Sequence, residues 1–374
     1  MTEQLEISSL QLPNNLTDSD AADFLEAGLL LDQIRLETWG NRDRISDPET
    51  RLVSWRQNDY SRLEVFLGKL GGKIVALSWI SLPLHDNLHT GFMSVCVAAE
   101  HRKRGYGQLM LETVEKYAAA QGRSVLMSST EHPADFDPAT IAVLEPKSGT
   151  GAIPQFDAGV RFSLRHGYQL EQVERFSELR LPIEGAHLEE LLRAAEAKAG
   201  TDYRLEFWQD RCPERLAESF AVANSRMSTD IPSAGLAVEA ETWDIKRLRD
   251  MEQRFIEAGH RIDVCAAVHV PSGQIAAYTY FDYNQKKPQL ISQEDTLVIR
   301  EHRGKRLGML VKAANVRRIQ EELPQLEKAI TWNAAENDHM LAINIELGFA
   351  PAGYDGEWQK DLRKGPANEQ LDSD

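Results

Sequence analysis

The feature that most constrains this chain is an internal repeat. Three pairs of short segments match: 72–76 with 273–277, 100–102 with 301–303, and Gly107 with Gly308. All three pairs have the same offset of 201 residues, whereas chance matches would scatter in offset. A period of about 200 residues is too long for a solenoid repeat, so the sequence predicts two copies of one domain.

The repeat also places the domain boundaries. A further match, 165–168 with 346–349, has an offset of 181, which gives the first copy about 20 extra residues. We expect them in the Pro- and Gly-rich stretch 131–156, as a loop insertion. The predicted division is an N-terminal domain at 1–183, a helical linker at 184–199, a C-terminal domain at 200–363 and a mobile polar tail at 364–374.

Composition argues against several classes of protein. The 374 residues carry a formal net charge of −16, and nucleic-acid binders usually have a basic face, so we expect no nucleic-acid partner. We expect no membrane segment and no signal peptide, because the chain lacks a long apolar run and its N-terminus is not basic. Cys96, Cys212 and Cys265 form no CxxC pair, which disfavours disulfides and a metal site. The prediction is a cytoplasmic monomer or homodimer.

Hydrophobic periodicity predicts the same order of elements in both copies. That order is a strand, a helix, a β-hairpin, a strand, a helix, a strand, a helix and a final strand. In the second copy, 290–299 is predicted to be a strand, and the helix after it has one apolar face. This face comprises Leu307, Leu310, Val311 and Ala314.

A strand that leads through a glycine-containing loop into a helix is the expected site of chemistry. A helix N-terminus presents unpaired N–H groups and the positive end of a dipole, so it suits a pyrophosphate. Glycines let phosphates approach the backbone closely. In the first copy the loop comprises Arg102, Lys103, Arg104, Gly105, Tyr106 and Gly107. In the second copy it comprises Arg303, Gly304, Lys305, Arg306, Leu307 and Gly308.

At these residues the sequence resembles the GNAT acetyltransferase superfamily, whose signature is Q/R-x-x-G-x-G/A after the fourth strand. The first copy matches the signature at Arg102, Gly105 and Gly107. In the second copy Arg306 stands where the first motif glycine is expected. Either the backbone there is already helical and tolerates a side chain, or binding of CoA is weakened. The element order extends the resemblance to nearly the whole chain.

The resemblance implies a fold and a cofactor. Each copy is expected to be an α/β domain, a mixed but mostly antiparallel sheet flanked by helices, in which two parallel strands splay apart to admit acetyl-CoA. The two loops would hold the pyrophosphate, and Asn333 and Asn337 would contact the pantetheine or the acyl group. Backbone groups of one strand would pair with the pantetheine arm: Val95, Cys96 and Val97 in the first copy, and Thr296, Leu297 and Val298 in the second.

The resemblance also implies an acid and a base. A glutamate on the fourth strand often acts as general base, and the second copy offers Glu294 and Asp295. Because these residues are adjacent on a strand, we expect at most one to face the cleft. The positions of the usual general acid, a tyrosine, hold Ser163 and Asn344.

The predicted function is direct transfer of an acetyl group from acetyl-CoA to a small-molecule amine, without a metal. The alternative is a tandem GNAT protein that binds CoA or a metabolite without turnover, in keeping with the missing tyrosines. A transferase that uses aminoacyl-tRNA is disfavoured by the intact first loop and by the acidic charge.

Overall fold

The computed structural model describes residues 4–364, which divide into two compact units. The first unit consists of residues 4–173, Ala234–Ala237 and 354–364, and the second consists of Glu174–Ser233 and Val238–Gly353. This division differs from the predicted boundaries at 183 and 199, because it falls inside two long strands. The predicted mobile tail lies, except for residue 364, outside the described residues.

The elements follow the predicted order in each copy, with additions. Up to the first boundary strand they are β1 (Glu6–Ser9), α1 (Ala22–Trp39), α2 (Pro48–Trp55), β2 (Ser61–Leu70), β3 (Lys73–Pro83), β4 (Thr90–Val97), α3 (Tyr106–Ala120), β5 (Val125–Pro133), β6 (Val143–Leu144), β7 (Ile153–Pro154), α4 (Ala158–Arg165) and β8 (Gln169–Arg180). The remainder are α5 (Gly185–Ala199), β9 (Tyr203–Gln209), α6 (Glu214–Asp230), α7 (Ile245–Glu257), β10 (His260–His269), β11 (Ile275–Asn284), β12 (Leu290–Val298), α8 (Leu307–Glu322), β13 (Lys328–Ala334), α9 (Asp338–Leu347) and β14 (Ala350–Asp361).

The sheets of the two units have corresponding strand orders. The first unit has the order β1-β2-β3-β4-β5-β14, in which β4 and β5 are parallel and the three pairs before them are antiparallel. The second unit has the order β9-β10-β11-β12-β13-β8, in which only β12 and β13 are a parallel pair. Each unit is therefore the mixed, mostly antiparallel sheet that the sequence predicts.

The segment 184–199, predicted to be a linker, is the helix α5 and belongs to the second unit. Its apolar residues recur at i, i+3, i+4 and i+7, which places them on one helical face. This face comprises Leu188, Leu191, Leu192 and Ala195, all buried. It packs in the same hydrophobic core as Val311 and Ala314 of α8. A linker would leave such a face in water, whereas here the face completes a core.

Two helices were missing from the sequence prediction although both carry capping signals. Asp47 accepts a hydrogen bond from the Thr50 N–H at 3.0 Å, and Pro48 occupies the first turn of α2. Asp244 accepts from the Arg247 N–H at 2.7 Å at the start of α7. An Asp at the N-cap is a strong start signal, so a search for caps would have found both helices.

The described part of the chain contains no helix that is long and apolar enough to cross a membrane. Residues 4–364 likewise contain no group of three or more His, Cys, Asp or Glu side chains that could hold a metal ion.

Candidate functional site

Each unit has one parallel strand pair that separates part-way along its length. β4 pairs with β5 only from Thr90 to Phe92, although β4 continues to Val97. β12 pairs with β13 only from Leu290 to Ser292, although β12 continues to Val298. Beyond these points the strands open, and the opening begins next to the residues predicted to bind pantetheine, 95–97 and 296–298.

The loops that follow β4 and β12 have the same backbone conformation. In the first unit Lys103 and Gly105 have positive φ angles, 62° and 86°. In the second unit the corresponding residues are Gly304 and Arg306, with φ angles of 78° and 55°. Each loop thus has two left-handed residues, two positions apart, directly before a helix. Such alternation turns backbone N–H groups into a concave anion site, so both loops have the form that a pyrophosphate requires.

Of the two alternatives for Arg306, an already helical backbone does not hold, and weakened binding of CoA stays a prediction. Arg306 is the N-cap of α8 and has a left-handed conformation, which carries a strain of about 1–2 kcal/mol for a residue with a side chain. The glycine of this loop is Gly304, two residues earlier. The Arg306 side chain pairs with Glu346, and both are about 40% exposed, so the pair offsets little of the strain.

The first arginine of each motif braces its loop. Arg102 donates from Nε to the Val97 carbonyl at 3.0 Å, and its two terminal nitrogens donate to the Glu37 carboxylate at 2.7 Å each. Arg303 likewise donates from Nε to the Val298 carbonyl, at 3.2 Å. It also lies 3.6 Å from the Asp230 carboxylate. These guanidinium groups therefore fix each loop to the end of the preceding strand.

Close packing explains the last glycine of each motif. A Cβ atom on Gly107 would lie 3.3 Å from the Phe162 ring of α4. A Cβ atom on Gly308 would lie 3.0 Å from Cδ1 of Ile343 on α9. In both units this glycine lets the helix after the loop approach the next helix closely.

A cavity of about 220 Å³ lies at the open end of β12 and β13, entirely within the second unit. Its lining includes four consecutive residues of β12, Gln293 to Thr296, and the two predicted asparagines, Asn333 and Asn337. The rest of the lining comprises Glu174, Met227, Ile231, Pro232, Lys312, Trp332, Ala334 and Met340.

Both Glu294 and Asp295 line this cavity, so the expectation that at most one would face it is wrong. The reason is a β-bulge. Phe281 lies opposite Gln293 and Thr279 lies opposite Thr296, so β12 has one more residue than β11 between these pairs. A bulge breaks the alternation of side chains and frees backbone groups from the ladder.

The environment raises the pKa of both carboxyl groups above its ordinary value. Burial, followed by the nearby Asp282 and Asp295 carboxylates, raises the pKa of Glu294 to about 8. Burial and the Glu241 carboxylate raise the pKa of Asp295 to about 6. Among residues 4–364, no Lys, Arg or His side chain forms an ion pair with either group. The cavity therefore contains two acids that can accept a proton and that form no ion pair within the described residues.

The first unit has an acid beside its open strands, on β5 rather than on β4, and the charge of this acid is compensated. Glu131 lies on β5 beyond the last β4–β5 pair and accepts a hydrogen bond from Trp39 Nε1. Arg44 lies 3.4 Å from Glu131 and 2.8 Å from Asp355, and its guanidinium stacks 4.5 Å from the centre of the Trp39 ring. Facing them on β4 is Cys96, whose thiol pKa is raised by burial.

Comparison with known proteins agrees with this geometry. Residues 31–142, within the first unit, match the model of the acetyltransferase (GNAT) family. The chain is also similar to the solved structure of a tandem GNAT protein from the clavulanic acid biosynthesis pathway. That similarity has a TM-score of 0.71 and 21% identity and covers 98% of this chain and 100% of the other. The chain has a tandem GNAT fold.

Two further solved structures share this tandem GNAT fold at lower identity. A GCN5-related N-acetyltransferase from Sphaerobacter thermophilus has a TM-score of 0.57 and 13% identity, covering 96% of this chain and 97% of the other. The GCN5-related glucosamine N-acetyltransferase region of a fungal multi-domain β-N-acetylglucosaminidase has a TM-score of 0.59 and 11% identity, covering 96% of this chain and 38% of the other. Comparison with curated protein sequences gives no match.

The remaining predicted residues of the GNAT site occupy defined places. Asn337 accepts a hydrogen bond from the Met340 N–H at 3.2 Å and so caps α9. Asn333 accepts from Nδ2 of Asn344 at 2.6 Å. Asn344, at the position of the family's usual tyrosine, is therefore buried and orients an asparagine of the cavity. Its first-unit counterpart, Ser163, is also buried.

Sequence reasoning missed Lys312 in the second unit and Glu131 with Arg44 in the first. Lys312 had a readable signal, since it interrupts the otherwise non-polar run 307–314 in the middle of a helix. Glu131 was placed in an insertion loop, although β5 extends to Pro133 and carries it.

Proposed function

We propose that this protein is an acyl-CoA-dependent N-acyltransferase, with acetyl-CoA as donor and a small-molecule amine as acceptor, and that the chemistry takes place in the second unit. The observation that carries the proposal is the buried pair Glu294 and Asp295, which shares a cavity beside the open strands and has no basic partner among residues 4–364. An amine arrives as an ammonium ion, so an uncompensated carboxylate attracts it and can then accept its proton.

The residues of the second unit suit each step of such a transfer. The loop 303–308 would hold the pyrophosphate through its backbone, and the open edge of β12 would align the pantetheine arm. Acyl-CoA supplies a thioester carbonyl, and N–H groups freed by the bulge at 294–295 are suited to polarise its oxygen. Glu294 or Asp295 takes the proton from the ammonium, and the neutral amine then attacks. A C–N bond forms, the nitrogen releases its second proton to solvent, the C–S bond breaks, and the thiolate receives a proton from solvent.

The first unit fits the alternative function, binding of CoA without turnover. Its loop has the same backbone conformation as the second. Its acid, Glu131, is however already paired with Arg44 and hydrogen-bonded to Trp39, so it is less suited to accept a proton from an ammonium. We therefore assign a binding or structural role to the first unit.

The test is release of CoA thiol from acetyl-CoA with a panel of primary amines, measured from pH 5.5 to 9 (a range chosen to span the pKa values expected of the acid pair). We expect turnover to rise with pH between about 6 and about 8, because the pKa values of Asp295 and Glu294 are raised to these values and a base works only when deprotonated. The assay uses two amines of different basicity. If the rise in turnover with pH reflects ionisation of the amine nucleophile, it shifts with the basicity of the amine, whereas a rise that reflects the acid pair does not. If CoA binds but no amine is acylated, the enzyme proposal fails and the binding function stands.

A further inference from the structure

A lysine lies buried in the cavity that holds the acid pair. Lys312 is on the second turn of α8, is 1% exposed and lines the cavity together with Glu294 and Asp295. Its Nζ lies 3.5 Å from Oγ1 of Thr296, and 5.7 Å from the centre of the Phe349 ring. A lysine is almost never fully buried unless it is paired, so its position calls for an explanation.

The lysine and the acids do not neutralise each other. No ion pair joins Lys312 to any carboxylate among residues 4–364, and burial alone accounts for the lowering of its pKa to about 7. The cavity thus holds a potential cation and a potential pair of anions at separate places in one small space. Burial removes the water that would otherwise hydrate the lysine and the two acids. In the cavity, a ligand carboxylate would replace part of the hydration of the lysine, and a ligand ammonium would replace part of the hydration of the acids.

We infer that the acceptor is zwitterionic, an amino acid or a closely similar compound, whose ammonium lies at Glu294 and Asp295 and whose carboxylate is bound by Lys312. This inference rests on the proposed function. Hydrogen bonds to the carboxylate come from the ammonium of Lys312 and from the neighbouring hydroxyl of Thr296. A ligand with both charges offers a partner to the lysine and to the acids, whereas a simple amine leaves the lysine uncompensated.

The size of the cavity limits the acceptor. About 220 Å³ is less than the roughly 300–1,000 Å³ that encloses a drug-sized ligand. The space suits a free amino acid with a small side chain better than an antibiotic or a folded protein terminus. Lys312 acts here as a specificity residue that contacts the acceptor.

The experiment compares amino acids with their amides, which keep the amine and lose the carboxylate. The probes are glycine with glycinamide and alanine with alaninamide, in the same acetyl-CoA assay. We expect wild-type kcat/KM to be about tenfold or more higher for each amino acid, since hydrogen bonds to charged groups are worth more than neutral ones. Lys312→Met should abolish this preference by raising the KM for the amino acids toward that for the amides.

The matched control is Lys246→Met, which removes an exposed lysine on α7 that pairs with Asp250. It should keep the wild-type preference. If Lys312→Met does not fold, calorimetric binding of glycine and glycinamide to the wild-type protein with CoA replaces it, and tighter binding of glycine is required.

Three results would overturn the inference. If amides are acylated as well as amino acids, the acceptor is a simple amine and the proposed function stands. If glycinamide is acylated with a Lys312-dependent preference for succinyl-CoA over acetyl-CoA, the carboxylate belongs to the acyl donor. If acetyl-CoA alone acetylates Lys312, as mass spectrometry would show, the lysine is an acyl acceptor instead. Absence of turnover with every probe would refute the proposed function itself.

Discussion

The two units share strand order, splayed strands and loop conformation, yet they treat buried charge in opposite ways. In the first unit Glu131 and Asp355 surround Arg44, so the acids of this cluster have a cation. In the second unit Glu294 and Asp295 share a cavity with Lys312, but among residues 4–364 no cation forms an ion pair with either acid. The difference teaches that a duplicated fold preserves backbone geometry more readily than charge. A compensated cluster stabilises its unit, whereas an uncompensated one is suited to bind and to react.

The largest expected effect is on kcat, and it compares removal of an acid in the second unit with removal of an acid in the first. Glu294→Gln removes a carboxylate that can accept a proton, and we expect kcat to fall by roughly 10²- to 10⁴-fold. Glu131→Gln, the matched change in the first unit, should alter kcat by less than about twofold. Steady-state thiol release measures both. A comparable loss in both variants would mean that the two units share the chemistry.

The next effect tests whether the charge cluster of the first unit is structural. Arg44→Met leaves Glu131 and Asp355 buried without their cation, and we expect the free energy of unfolding to fall by about 3 kcal/mol. Arg215→Met, which breaks an exposed pair with Glu206, should lower it by less than about 1 kcal/mol. Urea denaturation measures both. If the two variants are equally stable, the Arg44 cluster is no more important for stability than an exposed ion pair. The structural role assigned to the first unit then loses its support.

The smallest effect concerns the loops. Gly105→Ala places a side chain at a φ of 86°, which costs about 1–2 kcal/mol and should weaken CoA binding to the first unit by up to roughly tenfold. Arg306→Gly removes the strain of the same left-handed conformation in the second unit. We expect the CoA affinity of the second unit to stay within about threefold of wild type. Calorimetric titration with CoA resolves the two sites. Greater weakening by Arg306→Gly would show that the arginine side chain itself binds the cofactor.

Much of the fold could be predicted because the repeat and the hydrophobic periodicity are local signals. The strand 290–299 and the helix from Leu307 were placed within a few residues of β12 and α8. The unit to which β14 belongs could not be predicted, because periodicity identifies a strand but not its neighbours in a sheet. Residues 354–364 thus join a unit made almost entirely of the first half of the chain.

The candidate site was predicted less completely, since its geometry depends on single backbone angles and on one bulge. The family resemblance pointed to Glu294 and Asp295, but the bulge that turns both into one cavity is visible only in the register of β11 and β12. A motif comparison shows that Arg306 replaces a glycine. It does not show that Gly304 supplies a glycine at the loop's other left-handed position.

Residues 354–361 have a consequence for how the protein is made. Trp358 is completely buried and donates from Nε1 to Oγ1 of Thr130 at 2.9 Å, so the first unit includes a strand that follows the second unit in the chain. A ribosome must therefore synthesise residues up to Gly353 before that strand exists. Until then β5 lies at an unprotected sheet edge, where a nascent chain is prone to pair with other molecules. The unit that is translated first is thus the last to finish folding, and chaperones would be needed mainly during that delay.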